Sequence, residues 1–99
     1  MTAALLLVLL VHAGAAAAPG QDPSAAELFR AALAAQQRGE LEGAAAAYRR
    51  VLEINPRLAE AHANLGAVLA RLGQYEQAVL AYQRALAIDP RLNLSLIHI

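Results

Sequence analysis

The side chains that usually carry covalent chemistry are nearly missing from this chain. It has no Cys and no Lys, and its hydroxyls other than tyrosine are Thr2, Ser24 and Ser95. Without Cys there is no disulfide, thiolate nucleophile or thiolate metal site. Ser24 precedes Ala25-Ala26-Glu27. That spacing is a capping box, in which the hydroxyl accepts from an early backbone N–H while the glutamate reaches back, so Ser24 reads as a helix cap. The histidines, His12, His62 and His98, are dispersed along the chain. Glu40 and Glu42 are the close acidic pair, placed at a turn before a helix, where the helix dipole favours negative charge. Glu27–Arg30 and Arg49–Glu53 have the spacing of solvent-facing helix ion pairs. No glycine-rich phosphate loop, zinc spacing or nucleophile elbow occurs. The expectation is a segment that is not an enzyme, with no catalytic, cofactor-binding or metal residues and no cofactor.

What such a chain can do instead depends on the elements it builds. Its 99 residues allow one small domain. The net charge is zero and the pI is near 6.8, so there is no electrostatic footprint for nucleic acid. The apolar fraction of 59% overstates the core, because 26 residues are alanine. Alanine buries little surface, but it is the best helix former because a helix costs it no side-chain entropy. An all-α chain is expected.

The strongest signal is internal repetition. Residues 25–58 laid over 59–92 without gaps match at 12 of 34 places, among them Gly39/Gly73, Ala44/Ala78, Tyr48/Tyr82 and Pro56/Pro90. A period of this length marks a repeat array. Each unit reads as two amphipathic helices. The first helix is expected over about 25–38, with Leu28, Ala31, Ala32 and Ala35 inward and Gly39 ending it in the left-handed cap conformation. The second, over about 42–54, turns Ala44, Ala45, Tyr48, Val51 and Leu52 inward, and Asn55-Pro56 stops it. In the second unit His62, Leu65, Gly66, Leu69 and Leu72 form one stripe. Tyr75, Ala78, Val79, Tyr82, Ala85, Leu86 and Ile88 form the other.

The second unit reads His62-x2-Leu65-Gly66-x2-Leu69, then Ala78-x3-Tyr82, then Pro90. The first reads Leu28-x2-Ala31-Ala32-x2-Ala35, then Ala44-x3-Tyr48, then Pro56. Both resemble the tetratricopeptide repeat (TPR), whose pattern is W-x2-L-G-x2-Y, A-x3-F and P over about 34 residues. The large aromatics of the first helices are replaced, and the first helix of the first unit is degenerate. The resemblance implies an α-solenoid of antiparallel helix pairs and a partner-binding scaffold, with first helices lining a concave groove. On that geometry the lining would be Phe29, Arg30, Leu33, Gln36 and Gln37, then Glu60, Ala63, Asn64, Ala67 and Arg71. Asn64 matches an asparagine of the family's carboxylate clamp. The clamp's lysine and other asparagine would fall near Phe29 and Leu33, so clamp activity is not supported. His62 occupies a large packing position of the motif, which implies packing or a satisfied hydrogen bond rather than ligation.

The flanks complete the expected organisation. Residues 1–17 are an apolar run followed by small residues, the pattern of a secretory signal, with a membrane anchor as the alternative. Residues 18–24 are a linker rich in proline. Residues 25–58 and 59–92 are the two repeats. Residues 93–99, NLSLIHI, do not continue the pattern; LSLIHI resembles translated sequencing-adapter sequence, and native sequence is expected to stop near Asn93. Together these features suggest an exported, periplasmic or secreted bacterial scaffold that binds a protein or peptide partner and no nucleic acid. The alternatives are the N-terminal interaction region of a larger exported enzyme or membrane assembly, and a self-association of two copies, since arrays generally need three or more repeats.

Overall fold

The computed structural model describes residues 22–92, and these form four helices: α1 (Ala25–Gln37), α2 (Leu41–Ile54), α3 (Ala59–Arg71) and α4 (Tyr75–Ile88). The expectations for the signal-like segment and for the tail lie outside the described residues. Successive helices pack on one another, α1 on α2, α2 on α3 and α3 on α4. Neighbouring helices joined by short turns are the unit of an α-solenoid.

The turns show why these segments stop and start. Ser24 is extended (φ −72°, ψ 163°) and its Oγ accepts from the Glu27 N–H at 3.1 Å, satisfying one of the free donors at the start of α1. At the far end Gly39 has φ 77°, and the Glu40 N–H donates back to the Ala35 carbonyl at 2.9 Å. The second repeat copies this closure, with Gly73 at φ 80° and Gln74 N–H on the Leu69 carbonyl at 2.9 Å. Positive φ is cheap for glycine alone, which places one at each of these turns.

The core is alanine-lined with a few large side chains set between helices. Tyr48, Val51 and Val68 are the largest that are fully enclosed, among Ala32, Ala44, Ala61, Ala78 and Ala85. Leu28, Ala35, Ala45, Leu65, Leu69, Ala70, Ala81 and Tyr82 also belong to it. Small residues at the crossings let helix axes approach closely, and Gly66 is the tightest case. A Cβ built there would lie 2.8 Å from Tyr82 Cε1, so the ring occupies the space of the missing side chain.

Several inward assignments need correction. Ala31 is exposed; among the described helices α1 packs chiefly on α2. Tyr75, Val79 and Leu86 are exposed by 62, 49 and 37%, since among the described helices α4 packs on α3 and nothing lies over its other shoulder. Leu52 and Leu72 are half-buried. The ion pairs expected within helices do not form among the described residues. Instead, Arg38 and Glu40 pair across the turn, Nε–Oε1 at 3.0 Å and Nη2–Oε2 at 3.1 Å. That bond and charge hold the Glu40 carboxyl below its usual pKa and the Arg38 guanidinium above its own.

Candidate functional site

α1 and α3 carry the side chains expected to meet a partner. Phe29, Leu33, Gln36, Asn64 and Ala67 are half-buried, while Arg30, Gln37, Glu60 and Arg71 are exposed. Ala63 is 2% exposed and offers a partner almost no surface. Phe29 and Arg30 of α1 and Glu60 of α3 share a cleft of about 490 Å³ with Ala25, Ala26, Asn55 and Leu58. The cleft therefore has apolar patches, an arginine on one wall and a glutamate on the other.

A buried tyrosine organises this face. The Tyr48 ring is fully enclosed, and Phe29 stands edge-on to it, ring centres 5.8 Å apart and planes at 68°. Edge-to-face geometry sets the positive ring edge against the negative ring face and contributes about 0.5–1.5 kcal/mol. The Tyr48 hydroxyl donates to Gln36 Oε1 on the last turn of α1. Burial pushes the phenol up to about 12, a rise that the nearby Asn64 amide of α3 partly opposes. Phe29, Gln36 and Asn64 thus converge on one ring from α2. Phe29, Arg30 and Glu60 line the cleft, and Leu33, Gln36, Gln37, Ala63, Asn64, Ala67 and Arg71 are outside its lining.

Sequence reasoning missed the roles of Tyr48, Asn55 and Leu58 here. Tyr48 reads as core from helical spacing, and it is core, but its hydroxyl end supports the polar face. Leu58 repeats as Leu92, a signal that the turn does more than connect helices. His62 is buried and its Nε2–H donates to the Pro56 carbonyl at 2.9 Å, tying the turn to α3, while Nδ1 has no partner among the described residues.

Among the described residues no group of His, Asp and Glu could hold a metal ion, and no helix is long and apolar enough to cross a membrane. The face carries donors, acceptors and apolar surface without a nucleophile beside a base.

Comparison with family models matches a TPR repeat at residues 35–73 and a tetratricopeptide repeat at residues 59–92. No curated protein matches the chain. The two matches together span residues 35–92; the first runs from the end of α1 through α2 and α3, and the second covers α3 and α4. TPR folds are typically non-catalytic and mediate protein–protein interaction. The chain belongs to the tetratricopeptide-repeat family, with two helix pairs among the described residues.

Proposed function

We propose that the cleft beside Phe29, with the adjoining faces of α1 and α3, receives an extended or helical segment of a protein partner, and that the chain serves as an exported scaffold. The observation that carries the binding role is Phe29 itself, an aromatic side chain kept half-exposed beside a buried Tyr48 whose hydroxyl bonds the Gln36 amide. An anchor held in place by the core loses little freedom when a ligand arrives, which limits the entropic cost of binding. The Gln36 and Asn64 amides can bond a peptide backbone, and Arg30 and Glu60 on the cleft walls favour a ligand carrying both charges. Export rests on the apolar run followed by small residues at positions 3–18.

A displayed library of random peptides, selected on the purified chain, tests the binding role. Selected peptides should lose at least about tenfold in affinity for Phe29→Ala, the size of one aromatic anchor. Peptides that bind wild type and Phe29→Ala alike would place recognition elsewhere. Export is tested by fusing residues 1–24 to a periplasmic reporter, whose failure to leave the cytoplasm would remove that part of the reading.

A further inference from the structure

The residues that line the cleft divide into those the two repeats share and those they do not. Ala25 and Leu58 recur as Ala59 and Leu92, and the Asn55 turn recurs at Asp89 with the same φ of −132°. These positions build the fold. Phe29, Arg30 and Glu60 have no such copies, since Ala63, Asn64 and Ala26 stand in the matching places. Packing that is common to both repeats does not call for an arginine or a glutamate there.

Neither charge is used inside the described fold. Arg30 and Glu60 are exposed, and neither makes an ion pair or a side-chain hydrogen bond among the described residues. The ion pairs found there, Arg38–Glu40 and Arg91–Asp89, each join residues two apart at a turn. Glu60 is in the first turn of α3, where the helix dipole favours negative charge. Arg30 has no matching reason, because it is far from the last turn of α1, where a cation would be favoured. The two therefore face one cleft of about 490 Å³, Arg30 from α1 and Glu60 from α3, without pairing across it.

Apart from Asn55, the remaining lining is apolar: Ala25, Ala26, Phe29 and Leu58. A segment seated there takes water from both charges, which is unfavourable unless each meets its opposite. A segment with one sign of charge leaves one wall unmet. A segment with the two signs exchanged meets like charge on both walls, which opposes binding.

We propose, resting on the Phe29 reading above, that the cleft selects a protein segment in which an acidic and a basic residue flank an apolar one in a fixed order. The apolar side chain lies on Phe29, the acid meets Arg30 and the base meets Glu60. Arg30 and Glu60 then choose among segments, while Phe29 supplies most of the affinity.

The test selects a displayed library of random peptides on three forms of the chain: wild type, the charge-swapped Arg30→Glu with Glu60→Arg, and Arg30→Ala with Glu60→Ala. Wild type should yield acid, apolar residue and base in one order. The swapped form should yield the reverse order, and the alanine form no charge order. Arg30→Glu alone should weaken a peptide selected on wild type by about three- to tenfold. Both side chains are exposed and unbonded among the described residues, so the variants should fold, and circular dichroism checks that. If Glu60→Arg disturbs the start of α3, Glu60→Gln serves instead, and should keep Phe29 dependence while losing the preference for a base. Phe29-dependent peptides without a charge order, or with the same order on wild type and the swapped form, would overturn the proposal and leave the Phe29 reading standing. A selection yielding no Phe29-dependent peptide would remove both.

Discussion

The ring of Tyr82 lies in the place a side chain on Gly66 would occupy, with Cε1 2.8 Å and Cδ1 2.9 Å from a Cβ built there. Gly66 is in the middle of α3, where glycine is a poor helix former, and Tyr82 is a buried member of α4. The local cost of glycine is therefore offset by close packing of the two helices of one repeat. Gly66→Ala should force the ring aside and destabilise the fold by about 1–3 kcal/mol, despite alanine's better helix propensity. Thermal unfolding measures the sign directly, and a stabilised variant would show that the ring is free to yield.

Ala78 faces the same crossing from the other helix and is 1% exposed. Ala78→Leu adds volume where none is available, and a loss on the order of 1–3 kcal/mol is expected. An unchanged melting temperature would mean that α3 and α4 do not pack as described.

Tyr48 links stability to pH. Burial raises its phenol from the ordinary value to about 12, so the folded state favours the neutral form. The stabilisation is complete below the unfolded pKa of roughly 10 and disappears as pH rises through about 12. Stability should fall across that alkaline window, and Tyr48→Phe should flatten the fall although it costs about 0.5–1.5 kcal/mol near neutrality by losing the Gln36 bond. Burial raises the Tyr82 phenol too, so some slope should remain in the variant. Urea titrations at pH 8, 10 and 11 separate the two effects; identical slopes in wild type and Tyr48→Phe would contradict the burial argument.

Gly73 closes α3 at φ 80°, and a Cβ there would meet no atom within 4 Å. Gly73→Ala therefore tests backbone conformation without a packing clash. A loss of about 1 kcal/mol is expected from the left-handed geometry alone. No loss in chemical denaturation would show that the turn can adopt another conformation.

The fold was legible because two independent signals agreed. The 34-residue period placed Gly39 and Gly73 at turns and Tyr48 and Tyr82 in the core, and each has the same role in both repeats. The errors came from cover. Helical spacing reports which residues share a side, but burial depends on what packs there. Val79 and Ala45 occupy the same place in their helices; Ala45 is buried on α2, which packs on both α1 and α3, whereas Val79 is exposed on α4, which among the described helices packs chiefly on α3. The site was read less well for a related reason. Family geometry assigned first helices to the groove and so included the enclosed Ala63. It left out Tyr48, whose hydroxyl reaches Gln36 from the second helix.

The central claim is that Phe29, Gln36 and Asn64, held on Tyr48, form a peptide-recognition face. Calorimetric affinity of one selected peptide for wild type, Phe29→Ala and Asn64→Ala tests it most directly, with circular dichroism confirming that each variant is folded. Recognition at this face predicts weaker binding by about tenfold for Phe29→Ala and several-fold for Asn64→Ala. Wild-type affinity in both folded variants would contradict the account.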